Sequence, residues 1–404
     1  MMMRAFLLAI GLTTAWAHAA APLYATRGAI QGATQGTCAG FPRVELKVPA
    51  GHCVALVADA SSGLRFPRRI LEIAPGRYWI VDMGSWEPNR GRLLEMLLKD
   101  GQAKFTTLID KLDRPLGLIK GPDGKIYIGE AQRIWRTPTT GALQTEVVVD
   151  RLPNDGAHPL KELAFDHEKR LYINVGSFSD ACRGDKGEQP APCPESNVVR
   201  PRGAVYEVPL TGPDLKPQAV VPFASGLRNS VALAFVPGPN VLLQGENSID
   251  YSDEREPPEE LNLLQFGKHY GWPYCVGDRK PARGYEGRHD CARSQPPAML
   301  WPAHAAPLQM IVPSAGPYAK QLLVAWHGYR AGGHRVVAYT LDAKGLPTGA
   351  PRELIAGWTA QKGVRPLGAP TGIAVDSEGR LLVVEDRNKT VLMLVSPSST
   401  DQRK

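Results

Sequence analysis

The chain has 404 residues, 43% hydrophobic and 22% charged, with 47 Lys and Arg against 40 Asp and Glu for a net charge of +7. This balance excludes a disordered, collagen-like or cysteine-framework chain, and basic residues scattered without a stripe or block give no footing for nucleic acid. With 41 Gly and 36 Pro the chain turns often, so short elements and an all-β fold are expected.

Residues 1–21 carry Arg4, an apolar run from Ala5 to Trp16, and the small-x-small triplet Ala17, His18, Ala19. This is the pattern of a cleaved secretory signal peptide. Its apolar run of about a dozen residues is shorter than the roughly 20 needed to span a bilayer, and no later run approaches that length. The expectation is a periplasmic or secreted protein without a transmembrane segment.

All six cysteines, Cys38, Cys53, Cys182, Cys193, Cys275 and Cys291, follow that segment. An even count in an oxidising compartment predicts disulfides, and the grouping as near neighbours predicts Cys38 with Cys53, Cys182 with Cys193, and Cys275 with Cys291. No C-x-x-C, haem-attachment or zinc spacing is present, so the cysteines read as loop staples.

From Val44 the segment VELKVPAGHCVALVADA reads as one strand region, and then a unit recurs: apolar strand, Pro/Asp/Gly turn, apolar strand, polar loop. The units begin at Ile70, Leu116, Lys161, Val231, Leu308 and Pro370. One such meander cannot bury both faces, and a spacing of roughly 45 residues over the first units is that of propeller blades. The prediction is a six-bladed β-propeller of four-stranded antiparallel blades, with Val44 to Ala60 supplying the outer strand that closes the ring. The expected boundaries are a signal peptide at 1–21, an extension at 22–39, a single propeller domain at 40–397 and a tail at 398–404. Two inserts, Phe178 to Arg202 and Ser248 to Pro302, each hold one cysteine pair and are expected to wall a site on one face.

Three groups of residues carry candidate chemistry. His158, in NDGAHPLKELAFD just before a channel-lining strand, suits a general base near neutral pH. Arg228 and Asn229 occupy the pre-strand position of the next blade, offering a planar fork and an amide; Arg330 and Arg365 fall at comparable blade tops, so three arginines could meet one anion. The acidic loop from Gln244 to Asn262 offers hard oxygens for calcium, although its spacing is not that of an EF-hand.

These residues, with LKVPAGHCVALVADASSGLRFPRRI from Leu46, GLRNSVALAF from Gly226, PPEELNLLQFGKHYGWPYC from Pro257 and HAAPLQM from His304, resemble the soluble quinoprotein glucose and sorbosone dehydrogenases. The resemblance covers most of the chain after the signal segment and implies pyrroloquinoline quinone (PQQ) and Ca2+ as cofactors. It implies that His158 takes the substrate proton and that Arg228, also counted with the catalytic residues, Asn229, Arg330 and Arg365 hold the cofactor. It also implies that the backbone carbonyls of Ser248 and Ile249 hold the metal. The implied substrate is a sugar or related alcohol or aldehyde; with no haem motif in the chain, electrons would pass to an external acceptor such as a periplasmic cytochrome or a quinone. The sequence departs from the family where PLKEL follows His158, where the calcium segment lacks Gly-Pro, and where Arg330 replaces a lysine of some relatives.

Two other readings stand beside this one. A lactonase-type calcium propeller would bring Asn174, Asn229, Asn247 and Asp376 together on the axis. A non-enzymatic exported propeller would bind a glycan or protein through its loop face.

Overall fold

The computed structural model describes residues 36–184, 186–358 and 366–396. Six antiparallel sheets surround one axis, and the first strands of successive sheets touch one another around it. These first strands are Pro67–Ala74, Leu118–Lys120, Leu163–Phe165, Ala232–Val236, Pro307–Ile311 and Pro370–Val375. The protein is therefore the six-bladed propeller that the repeat predicts, with four-stranded blades extended in places by short edge strands.

Blade 6 joins the two ends of the chain. Its strands Pro370–Val375, Leu381–Glu385 and Thr390–Val395 continue into Cys53–Ala58, which pairs Leu392 with Leu56 and Leu394 with Val54. The N-terminal strands Phe41–Val44 and Thr37–Cys38 add outside it. Hydrogen bonding a late strand to an early one closes the ring without an exposed seam. The segment at 1–21 expected to be a signal peptide and the tail expected at 398–404 lie outside the described residues. Among the described residues no helix is long and apolar enough to cross a membrane.

The blades form because apolar side chains alternate onto both faces of each strand, and each face meets the next blade. Trp79, Ile80, Tyr127, Ile173, Leu243, Val324 and Val383, all in second strands, are essentially fully buried. Each large apolar side chain withdrawn from water contributes about 1.5–3 kcal/mol, which makes the interblade contacts the main source of stability.

A repeated acid fastens each blade top. Asp82, Glu130, Glu246 and Glu385 stand at the end of the second strand in blades 1, 2, 4 and 6. Each accepts from a backbone N–H of the loop entering its own blade: Phe66 at 2.6 Å, Asp113 at 2.6 Å, Arg228 at 2.6 Å and Ala369 at 2.9 Å. In blades 3 and 5 the same position is Val175 or Trp326.

On the axis, Arg69 is fully buried and reaches five segments. Its Nε donates to Glu162 at 2.7 Å, and its terminal nitrogens donate to the carbonyls of Arg68, Thr371, Val231 and Leu308. Beside it Met83, Leu116, Leu160 and Val231 form an apolar layer. This hub divides the channel. One cavity of about 570 Å³ lies on the turn side, lined by Ile70, Phe165, Phe235, Met310 and Ser377 among others. A second, of about 670 Å³, lies on the loop side.

The three disulfides join the predicted partners, Cys38–Cys53, Cys182–Cys193 and Cys275–Cys291. The last two staple the inserts, which pack on each other through Cys182, Cys193, Ile249, Trp272, Tyr274 and Tyr285. Trp272 donates from Nε1 to the carbonyl of Asp180 at 2.9 Å, and Cys193 N–H donates to the Tyr274 hydroxyl at 2.7 Å.

Candidate functional site

The loop-side cavity is built from strand entrances and exits of successive blades. Phe66, Arg68 and Trp86 come from blade 1, Ala157 to Leu160 from blade 3, Asn229 and Val231 from blade 4, Leu308, His327 and Tyr329 from blade 5, and Asp386, Arg387 and Lys389 from blade 6. His158 and Asn229 of the sequence-predicted set are therefore brought together.

His158 is held by the exit of the second strand of its own blade. Its Nδ1 lies 3.0 Å from the Ser177 carbonyl and 2.9 Å from the Ser177 hydroxyl, which itself donates to the Ser179 carbonyl. A carbonyl can only accept, so Nδ1 carries the proton and Nε2 shows a lone pair. No hydrogen bond engages Nε2 within the described residues. Burial, helped by the nearby positive charge of Arg228, lowers the imidazole pKa to about 3, so the ring is neutral at physiological pH. Gly176 permits this approach: a Cβ there would lie 2.4 Å from the Cβ of His158 and 2.6 Å from its carbonyl oxygen.

Asn229 donates its backbone N–H to Glu246 at 3.1 Å, and its carbonyl accepts from the Asn247 side chain at 3.2 Å. Its own amide has no partner among the described residues and faces the cavity.

The arginines do not converge as expected. Arg228 is 5% exposed and its guanidinium is engaged: Nε donates to Asp180 Oδ1 at 2.9 Å, one terminal nitrogen to the Asn247 carbonyl at 3.0 Å, the other to Asp250 at 2.7 Å. Arg330 stays outside the cavity lining and donates to the carbonyls of Asp253 and Tyr251, with His304 Nε2 at 2.8 Å. The acidic loop supplies partners to both, which is why neither guanidinium is free for an anion. Arg365 lies outside the described residues. The inserts are likewise corrected: they grip Arg228 from one side and contribute no lining residue to the cavity.

Of the two carbonyls expected to hold calcium, that of Ile249 accepts from Tyr251 N–H at 3.0 Å, while that of Ser248 has no hydrogen-bond partner among the described residues. Ser248 is fixed by its N–H on Glu259 and its hydroxyl on the Pro258 carbonyl. Among the described residues the only cluster of three metal-type side chains is Cys182, Cys193 and Glu195, and those cysteines are disulfide-bonded. The set that a lactonase-type centre would need is dispersed. Asp376 lines the opposite cavity, Asn174 binds the backbone of Leu160 and Glu162, and Asn247 binds the carbonyls of Asn229 and Pro307.

The structure adds residues that the sequence reading missed. Arg387 and Lys389 are exposed at the rim, and neither side chain has an ion pair among the described residues. Trp86, 55% exposed, stands edge-on to Phe66 with ring centroids 6.5 Å apart. Deeper in, His327 Nε2 lies 3.1 Å from Asp386 Oδ1, and Asp386 Oδ2 accepts from Arg68 at 3.0 Å. The signal for these was the repeat itself. Asn247, His327 and Asp386 occupy the same place, one residue past the repeated acid position, in blades 4, 5 and 6.

Fold and site define a propeller with a polar, partly cationic cavity at the hub and a neutral imidazole facing into it. The chain matches the glucose/sorbosone dehydrogenase family over residues 128–333, and it belongs to that family. A calcium structure of a Trichoderma reesei family AA12 carbohydrate-active enzyme is similar with a TM-score of 0.71 at 19% identity, covering 90% of this chain and 99% of that one. The holo PQQ domain of a Coprinopsis cinerea pyranose dehydrogenase is similar with a TM-score of 0.68 at 20% identity, covering 89% and 99%. The apo soluble aldose sugar dehydrogenase of Escherichia coli has a TM-score of 0.57 at 16% identity, covering 85% and 99%. An uncharacterised protein of Borreliella burgdorferi is 23% identical over 309 residues, 70% of this chain and 76% of that protein.

Proposed function

We propose that the protein is an exported quinoprotein dehydrogenase that oxidises a sugar or related alcohol or aldehyde in the loop-side cavity and passes the electrons to an external acceptor. The observation that carries this reading is the pairing of a neutral His158, its Nε2 unengaged among the described residues, with the cations Arg387 and Lys389, unpaired among those residues, around one cavity. Family membership supports the same chemistry.

The residues present fit PQQ, a planar ring system bearing carboxylates. Arg387 and Lys389 would meet carboxylates at the rim, the Asn229 amide would meet a polar edge, and Trp86, Phe66 and Tyr329 offer flat apolar walls. When bound, the quinone supplies the hydride acceptor. His158 Nε2 takes the hydroxyl proton of the substrate, and its Nδ1–H bond to Ser177 holds the ring in the tautomer that can do so. Arg228 acts through others: it braces Asp180, Asp250 and the Asn247 carbonyl, fixing the loop beside Asn229. Ca2+ belongs, in this reading, to the Ser248 carbonyl, which has no hydrogen-bond partner among the described residues, and to the Ile249 carbonyl, which keeps a second lone pair.

Purified mature protein titrated with PQQ and Ca2+, followed by dye reduction over a sugar panel, tests the proposal. Expected are stoichiometric cofactor binding and sugar-dependent reduction that His158→Ala abolishes while still binding cofactor. Absence of PQQ binding at micromolar concentration overturns it.

A further inference from the structure

PLKEL, where the sequence departs from the family after His158, runs from Pro159 to Leu163. Glu162 belongs to the Arg69 hub and Leu160 to the apolar layer beside it, which leaves Lys161 without a part in either. Lys161 is fully buried and has no ion pair among the described residues. Its carbonyl accepts from Gly117 N–H at 2.9 Å, where blade 3 meets blade 2. A Cβ on Gly129 would lie 2.6 Å from that carbonyl oxygen and 3.3 Å from the Lys161 Cβ, so blade 2 gives the lysine room by lacking a side chain there. Nζ turns back and donates to the Pro159 carbonyl at 2.5 Å and to the Pro153 carbonyl at 2.8 Å. Neither carbonyl has another partner among the described residues. These two prolines bracket His158. The loop between them is held by few bonds: Ala157 N–H on the Phe178 carbonyl at 2.7 Å, Arg202 on Asp155, and the Lys161 amine at both ends. Losing the bonds at the ends would free the backbone next to His158, whose ring has to reach Ser177 to keep its proton on Nδ1.

We propose that Lys161 is a positioning residue for His158: by donating to the carbonyls of Pro153 and Pro159 it closes the loop at both ends and holds the imidazole against Ser177 with Nε2 facing the cavity. This rests on the reading of His158 as the base, but it concerns where the ring is held and is measurable without substrate. Burying an amine away from any carboxylate opposes folding, and an apolar side chain would fill the same space without that cost, so packing alone gives no reason for a lysine here. Burial, helped by the positive charges of Arg202 and Arg114, lowers the amine to about 7, against the opposite pull of Asp113 and Asp155. Both forms are then present near neutrality, and the brace survives in either. The neutral amine has two N–H bonds for two carbonyls, and the ammonium has three.

The test compares Lys161→Met, which keeps the stem and removes the donors, with Lys161→Gln, which keeps two donors on a shorter arm. Val337→Ala, a core change in blade 5 that does not touch the loop, is the control for lost stability. Two readouts are taken on each: nitrogen–proton spectra of His158 in the ligand-free protein, and steady-state kinetics with PQQ, Ca2+ and the sugar of the panel turned over fastest. Lys161→Met is expected to replace the single Nδ1–H tautomer of His158 by a mixture and to lower kcat by about 10–100-fold. PQQ affinity and KM should stay within about threefold. Lys161→Gln should recover part of both losses, and Val337→Ala should show neither. In the unaltered protein the Nζ protons of Lys161 should exchange slowly with water, a measurement that needs no variant to fold.

A single Nδ1–H tautomer retained in Lys161→Met overturns the inference whatever turnover does, as does free exchange of the Lys161 protons in the unaltered protein. A mixed tautomer with kcat undiminished keeps the inference and overturns the role of His158 as base. A mixed tautomer in Lys161→Met, where the unaltered protein binds no PQQ, keeps the inference and overturns the quinoprotein reading.

Discussion

The Nδ1 of His158 donates to the carbonyl of Ser177 at 3.0 Å, so a residue on one side of blade 3 decides which face of the imidazole the cavity sees. Replacing His158 with Gln should lower turnover by about 10²–10⁴-fold with cofactor affinity changed only a few-fold. Because its pKa is lowered to about 3, kcat/KM should show no loss between pH 8 and 5 from this group. An acid limb near 6.5 in a steady-state pH profile would contradict that assignment. Gly176→Ala should reproduce the turnover defect, since its Cβ would collide with that of His158.

Arg387 and Lys389 are exposed and lack ion pairs among the described residues, so removing them should leave the fold intact. Each change to Ala should weaken PQQ binding by about tenfold, the equivalent of ~1.4 kcal/mol for a charge-assisted contact. Arg330→Ala should leave affinity within about twofold, because its guanidinium serves the Asp253 and Tyr251 carbonyls. Fluorescence titration of the three variants separates these outcomes.

Arg69→Met should destabilise the propeller by about 3–5 kcal/mol, since it leaves Glu162 buried without its partner. Adding Glu162→Leu should recover part of the loss. Urea unfolding of the single and double variants is the measurement, and equal stability of Arg69→Met and the unaltered protein would refute the role of the hub.

Stability should also fall on the alkaline side. Burial raises Glu246 to about 7 and Glu259 and Glu260 to about 8, with mutual repulsion adding to the effect in each of the last two. A carboxyl whose folded pKa lies above its unfolded one favours folding fully below the unfolded pKa, near 4.5, and loses that contribution as pH rises through 7 to 8. Thermal midpoints should therefore drop between pH 6 and 9, and Glu260→Gln should flatten the slope.

The scaffold was legible because a meander repeated six times has few ways to bury its faces, and because Cys53–Ala58 has the apolar pattern of a strand without a blade of its own. Neighbouring cysteines likewise revealed their partners. The site was half legible. His158 and Asn229 lie in loops entering a blade, where the reading looked, whereas His327, Asp386, Arg387 and Lys389 lie in loops leaving the second strand. Both kinds of loop meet on one face only once the ring is closed. Arg228 looked free in the sequence since Asp180 and Asp250, which neutralise it, stand 48 and 22 positions away. Charge can be read from a string of letters; whether a charge is already satisfied cannot.

The Arg69 hub has a kinetic corollary. With the axis blocked by a guanidinium bonded to five segments, nothing can cross from the turn-side cavity to the loop-side one. On the proposed function, a substrate oxidised in the loop-side cavity must back out through the mouth by which it arrived, and an external electron acceptor must use the same doorway. The two visitors take turns, so initial rates plotted in double-reciprocal form against each of them should give parallel lines.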